Sequence, residues 1–367
     1  MSAPSLPTTT TGSTPRRTES LDNLKILLTF LVVAHHAAQA YGPTGGSWPI
    51  GQPERAEALG PLITLNSMFF MGLFFFVSGY FTTASMVRKG LRTFAVDRLL
   101  RFGLPALAWL PISRLNNGSW GWDLAHLWFV VDLLGLNLLF AAWCIWRPAS
   151  KTGRANPPIG SPPNDAIILG FVCLLGSVTA FVRIAYPVDR WVKFLGVFPM
   201  EPAHWPQYLS LFVLGFWAWR TRWFERLPAS QGRRWLCLAV VVSALYIVYR
   251  LMPGRTTDWF STGGLHWQTW SYATLEALIC VALSIGLLWL FRDFFNRSNR
   301  WLRTLAADTY AIYWIHIIPV VGVQLGLVGA PLGPLAKFVI TTFAGFSISW
   351  TIAHFVLRRG WLGRKVF

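Results

Sequence analysis

An ammonium and an imidazole eleven residues apart form the first spacing in this chain with an evident chemical use. Lys25 and His36 lie close to three helical turns apart, so both fall within about 20° on one helix face. Helical rise carries His36 about 16 Å further along the axis than Lys25. Asp22 precedes Lys25 by one turn on nearly the same face, whereas His35 points about 100° away and reads as an orienting or packing residue. Imidazole titrates near neutral pH, so His36 can act as a proton acceptor. The plainer alternative makes Lys25 a snorkelling anchor and the histidines hydrogen-bonded packing residues.

A second group of candidates follows. Arg98 and Arg101 share a helix face, and two guanidiniums so placed can fork onto phosphate oxygens or simply anchor a helix end. Ser78 and Gly79 permit close helix packing, and without a G-x-S-x-G elbow Ser78 is a poor nucleophile. Asp132, Glu276, His316 and His354 are ionisable groups inside apolar stretches, and His126 stands beside Trp120, Trp122 and Trp128. Taken singly, each reads as an interhelical hydrogen bond. Gly322 and Gly326 form a G-x-x-x-G that reads as a packing groove.

The elements that must position these groups are membrane helices. Of the 367 residues 54% are hydrophobic and only 13% charged, where soluble domains carry about a quarter charged. A crossing helix needs roughly 20 mostly apolar residues. Such stretches occur at 24–41, 61–86, 98–114, 126–146, 165–185, 206–220, 235–252, 269–291, 309–328 and 335–357. The expected fold is therefore an all-α, polytopic integral membrane bundle of about ten helices. The third stretch is interrupted by Pro105 and Pro111, and the sixth is short. Strict apolar/polar alternation, the mark of a β-barrel, is absent. The four cysteines lie inside apolar stretches without C-x-x-C pairing, so they read as buried packing thiols; neither a metal nor a disulfide framework is expected.

The net charge of +17 raises a nucleic-acid partner, but topology explains the basic residues better. With the N-terminus cytoplasmic, 24 of the 32 Lys and Arg fall on the inside, including Arg16, Arg17, Arg147, Lys151 and Arg154. That bias follows the positive-inside rule and places both termini in the cytoplasm. Residues 1–20 read as a disordered cytoplasmic tail without a cleavable signal core, 21–357 as the transmembrane domain, and 358–367 as a basic cytoplasmic tail.

Four islands, in order, resemble the bacterial type-3 membrane acyltransferase family, which includes O-acetyltransferases of polysaccharides and antibiotics. They are Lys25 to His36 within Leu-Asp-Asn-Leu-Lys, the Phe-rich segment ending Val77-Ser-Gly-Tyr80, Arg98-Leu-Leu-Arg101 closed by Pro105, and Tyr310-Ala-Ile-Tyr-Trp-Ile-His316. The resemblance runs from residue 21 to about 357. It departs at Lys25, where the family usually has arginine; lysine keeps the charge but loses the bidentate fork.

What the resemblance implies is an O-acyltransferase in the bacterial cytoplasmic membrane. The donor would be acyl-CoA, commonly acetyl-CoA, and the acceptor a hydroxyl of a sugar, glycan or lipid-linked molecule. His36 would be the base or acyl carrier, with Lys25 and Asp22 beside it in the catalytic motif. Arg98 and Arg101, with Ser78 and Tyr80, would bind the donor; His35, Tyr313 and His316 would line the acceptor side. The competing class is a transporter or flippase whose proton or solute path runs through His35, His36, Asp132 and Glu276.

Overall fold

In hydrocarbon a backbone can satisfy its own polar groups only as a helix or a closed barrel, and this chain takes the first course. The computed structural model describes residues 19–43, 48–50, 54–117, 124–146, 161–194, 198–253 and 258–367. Most of the amino-terminal tail, Trp120, Trp122, Arg147, Lys151 and Arg154 lie outside the described residues. The helices are α1 (Glu19–Gln39), α2 (Leu59–Lys89), α3 (Leu91–Arg98), α4 (Leu104–Asn117), α5 (Trp128–Trp146), α6 (Asp165–Ala185) and α7 (Trp205–Thr221). After them come α8 (Ala229–Leu251), α9 (Trp267–Phe294), α10 (Arg300–Ile315), α11 (Ile317–Gly326), α12 (Pro334–Ile352) and α13 (Trp361–Val366). A small antiparallel hairpin, β1 (Val192–Phe194) and β2 (Phe198–Met200), pairs Lys193 with Pro199 before α7.

Seven helices are long and apolar enough to cross a membrane: α1, α2, α5 with its preceding turn, α6, α8, α9, and α12 with its following turn. The pair α10 and α11, bent by 66°, brings the number to as many as eight. The two other expected spans fall on α7, only 17 residues long, and on the segment through α3 and α4. In that segment Leu99–Gly103 is wound as a π-helix and Pro111 sits inside α4. The protein is thus an all-helical polytopic membrane protein; prolines interrupt the α3–α4 segment, and a second π-wound turn, Ala353–Leu357, follows α12.

The basic clusters gather at one end of the bundle. Ser20 N–H donates to Asn296 Oδ1 at 3.1 Å, and Asn23 donates to the carbonyls of Phe295 and Arg297. Arg292 donates to the Phe224 carbonyl at 3.0 Å, and Arg234 pairs with Asp165 at 2.7 Å. The starts of α1, α6, α8 and α10 and the ends of α7 and α9 therefore share a side, as the charge bias requires. At the other end the Gly264 N–H donates to the Arg183 carbonyl. At the C-terminal end α13 follows, and the Phe367 ring packs on Tyr310 and Trp314.

Two expectations about small side chains change. Cys280 is buried, but Cys173 and Cys237 are exposed on the outer faces of α6 and α8, which a bilayer would cover. Gly322 and Gly326 face open space; neither has an atom within 4 Å of an added Cβ. The tight helix contact is elsewhere, between α2 and α7. A Cβ at Gly79 would stand 2.1 Å from the Phe212 carbonyl oxygen, and one at Gly215 2.0 Å from that of Phe76. Backbone cannot retreat as a flexible side chain can, so Gly79→Ala should destabilise the protein by at least the ~1–3 kcal/mol typical of overpacking. Gly170→Ala, in open space on α6, should not. Thermal unfolding of both variants in detergent checks the contrast.

Candidate active site

The site grows from α1 and from the break between α10 and α11. The N–H that would bond the Ile315 carbonyl belongs to residue 319, a proline, so the helix cannot continue straight through His316. The 66° bend falls there and turns the His316 ring toward α1. Its centroid lies 5.1 Å from that of His36 and 5.0 Å from that of His126. His126 comes from a short turn, Ala125–Leu127, entered through Ala125 in the left-handed region at φ 43°. Three imidazoles from positions 36, 126 and 316 thus form one continuous cluster inside the bundle.

Hydrogen bonds fix the orientation of two of them. His316 Nδ1–H donates to the Tyr313 carbonyl at 2.6 Å, and His126 Nε2–H to the Trp314 carbonyl at 3.1 Å. The Tyr313 hydroxyl donates back to the His126 carbonyl. Each ring nitrogen that donates leaves the other as a lone pair. His316 Nε2, His126 Nδ1 and His36 Nδ1 are all buried, and none has a hydrogen-bond partner among the described residues. His35 turns away as the helical wheel requires: it stacks on Phe70 at 5.4 Å and accepts from Gln39 at 3.2 Å.

A lid of polar and aromatic groups closes the far side of His36. Trp48 stacks on its ring at 5.3 Å and 21°. The Trp48 indole donates to Gln324 Oε1 at 2.7 Å, while Gln324 Nε2 donates to the Ala37 carbonyl at 3.2 Å. Fully buried Gln324 therefore ties α11, α1 and the Trp48 loop around one imidazole. Neither Trp48 nor Gln324 carries a signal in the sequence, because the hydrogen bonds that join them to each other and to α1 span hundreds of residues. His126 did stand out, but as an isolated group.

At the basic end, Lys25 Nζ pairs with Asp22 at 2.7 Å and lies 5.0 Å from the Phe81 ring. Arg98 is held between the Phe94 and Phe102 rings, 5.0 and 5.5 Å away, with Asp97 at 4.0 Å. Its buried Nε makes no hydrogen bond among the described residues, while Lys89 takes up Asp97 at 2.6 Å. An α-helical Arg101 carbonyl would take the N–H of residue 105, and proline has none. The Tyr310 hydroxyl takes that carbonyl at 2.9 Å instead, and the Trp314 indole donates to the Pro105 carbonyl at 2.9 Å. One face of α10, through Tyr310, Tyr313 and His316, thus runs from the arginine segment to the imidazoles, about 9 Å by helical rise.

Other candidates stand apart from this line. Half-buried Ser78 lies on α2, and the Tyr80 ring packs on Phe81 and Phe224. Glu276 pairs with Arg183 at 2.7 Å and with His204 at 3.2 Å, and His204 Nδ1–H donates to Glu201 at 2.8 Å. His354 donates to Asp308 at 3.0 Å, where Arg358 also binds. Asp132 is buried on α5 with Oδ2 unpartnered among the described residues. Among the described residues, no three His, Cys, Asp or Glu side chains are placed to hold a metal ion.

A polytopic helical bundle with basic groups at one end and an imidazole cluster within it has the architecture of a membrane enzyme. Residues 18–354 match the family model described as an acyltransferase domain, and the chain belongs to that family, the type-3 membrane acyltransferases. It is similar to glucans biosynthesis protein C of Shigella dysenteriae serotype 1 (strain Sd197), 23% identical over 333 residues covering 81% of this chain and 80% of that protein. The protein of the same name from Escherichia coli (strain K12) matches with the same identity and coverage. No solved structure matches the chain.

Gln324→Leu tests how the site is held. It strands the Trp48 indole and frees the α1 carbonyl, each stranded polar group costing about 1–3 kcal/mol. Thermal unfolding in detergent should show the loss, and Trp48 should become accessible to a soluble quencher when it is compared with a Trp48→Phe control.

Proposed function

We propose that this membrane acyltransferase moves an acyl group, acetyl in the simplest case, from cytoplasmic acyl-CoA to a hydroxyl of a sugar, glycan or lipid-linked acceptor. The observation that carries this reading is the trio of buried, unpartnered imidazole nitrogens on His36, His316 and His126. Unpaired polar atoms in a membrane interior are costly, so such a group is best explained by a substrate that pairs with it. A transport path through Asp132 and Glu276 has less support, since Glu276 is already neutralised by Arg183 and His204. The glucan biosynthesis in the relatives' name supports a carbohydrate acceptor, and the positive-inside bias supports a bacterial cytoplasmic membrane with both termini inside.

In this reading Arg98 and Arg101 bind the donor's phosphates at the basic end, with Lys25, steered by Asp22, adding charge nearby. Ser78 and Tyr80 belong to the same donor side with less geometric support. The acyl arm follows the Tyr310–Tyr313 face of α10 inward. His36 removes the proton from the acceptor hydroxyl as its oxygen attacks the thioester carbonyl. The tetrahedral intermediate collapses, the C–S bond breaks, and the departing CoA thiolate takes a proton back from the His36 imidazolium. His35 orients α1, while Tyr313 and His316 line the acceptor side.

Two measurements test this. Purified protein in detergent should release CoA thiol only when an acceptor hydroxyl is supplied. His36→Ala should lower that release by at least the ~10²–10⁴-fold a general base contributes, with helicity and thermal unfolding retained. Full turnover in that variant would remove His36 from the reaction. Arg98→Glu should raise the apparent KM for acyl-CoA while leaving kcat within a few fold; an unchanged KM would argue against a phosphate contact.

A further inference from the structure

Away from the imidazole cluster, the bundle carries a groove of about 500 Å³ between α2, α6, α7 and α9, near the basic end. That volume lies within the roughly 300–1,000 Å³ typical of small-molecule sites. Its walls include Phe76, Ile167, Leu214, Trp217, Trp223 and Ile285. Ile167 and Val213 on its rim are 61% and 52% exposed. Such residues on the outside of a membrane bundle face hydrocarbon, so the groove opens sideways into a leaflet rather than toward water.

Two features distinguish it from a bare greasy surface. The Trp223 side chain is only 6% exposed, and its indole Nε1 has no hydrogen-bond partner among the described residues. Trp223 is held there because Arg222 takes a left-handed conformation (φ 56°) that ends α7 sharply. A stranded donor in an apolar cleft calls for an acceptor oxygen on whatever fills it. Beside it the Ser284 hydroxyl lines the cleft, set against the Cys280 thiol.

The second feature is charge at the mouth. Arg220 is exposed and stands three residues beyond Trp217, so it sits one turn nearer the basic end on the same face of α7. On the opposite wall Pro163 lies two residues before Asp165, where Arg234 is docked with its side chain 59% exposed. The acidic groups nearby are already engaged: Asp165 by Arg234, Gln231 and Trp235, and Glu225 by Arg222 at 2.5 Å.

We propose that this groove binds one anionic glycerophospholipid of the surrounding leaflet. One acyl chain lies along Phe76, Leu214 and Ile285, its ester carbonyl accepts from Trp223 Nε1, and its phosphate lies between Arg220 and Arg234. The lipid joins α6 to α7 where their own side chains leave a gap. Nothing in this depends on which acyl donor or acceptor the enzyme uses.

Native mass spectrometry of the delipidated full-length protein in detergent tests it, with dioleoyl phosphatidylglycerol and dioleoyl phosphatidylcholine as probes. The wild type should retain one phosphatidylglycerol under conditions that strip phosphatidylcholine. Trp223→Phe keeps the ring and loses the donor, and should weaken retention about two- to tenfold, the worth of one hydrogen bond. Arg220→Glu, on the surface, should erase the preference for the anionic lipid, and Val213→Trp should block the groove. Equal retention of both lipids by the wild type would overturn the proposal. So would wild-type retention in both Trp223→Phe and Val213→Trp, even if Arg220→Glu shifted the preference.

Discussion

Hydrocarbon offers no partner to a polar group, and under that constraint two kinds of polar cluster stand out in this bundle. The first kind is closed. Arg183, Glu276, His204 and Glu201 balance one another through contacts of 2.7–3.2 Å. Asp308 likewise satisfies Trp350, His354 and Arg358 together. Removing one member of such a set would leave a buried charge without its counter-ion, so these sets hold helices in register. The second kind is open. His36, His126 and His316 each keep a buried nitrogen free among the described residues, and their rings stand together, His316 5.1 Å from His36 and 5.0 Å from His126.

The same constraint explains where the backbone departs from regular helix. The π-wound turn before Pro105, the bend ahead of Pro319 and the left-handed Ala125 all border α10. Each break releases a backbone group or redirects a side chain, and α10 meets much of the need: Tyr310 to the Arg101 carbonyl, Trp314 to the Pro105 carbonyl, Tyr313 to the His126 carbonyl. A broken span is tolerated in lipid only where protein surrounds it. Here α1, α4, α5 and α12 pack around the α10 half of the break, and the irregular backbone aims the imidazoles.

Much of this was legible in the sequence because helical periodicity is local. The shared face of Asp22, Lys25 and His36, the rotation of His35 away from it, and the prolines that interrupt the third span all follow from the sequence alone. The 2.7 Å pair between Lys25 and Asp22 is the one-turn neighbour that spacing implies. What could not be read was which helices meet. His126 and His316 each looked like an isolated polar group, and only the packing of α10 against α1 and the Ala125 turn joins them to His36. Trp48 and Gln324 were invisible for the same reason. The thiols show the converse error: an apolar stretch in a membrane protein has a lipid side as well as a core side, and Cys173 and Cys237 lie on the former.

The three clustered imidazoles and the neighbouring His35 are not equivalent, and the difference points to which of them can react. His126 is fixed through Nε2 to the Trp314 carbonyl and through its own carbonyl to Tyr313. His316 is fixed through Nδ1, and His35 through Gln39. Protonation of the bonded nitrogen of His35 would break the bond it accepts, and His126 and His316 could turn only by giving up the bonds they donate. His36 is positioned by stacking, on Trp48 and against His316, and among the described residues its side chain makes no hydrogen bond. Ring contacts hold the plane of an imidazole while leaving its nitrogens free to gain and lose a proton. The neighbours in turn present fixed lone pairs, His316 Nε2 and His126 Nδ1, that can receive a hydroxyl proton or steady an imidazolium. A base that must cycle between two states in every turnover is best built from the ring that no hydrogen bond commits to either.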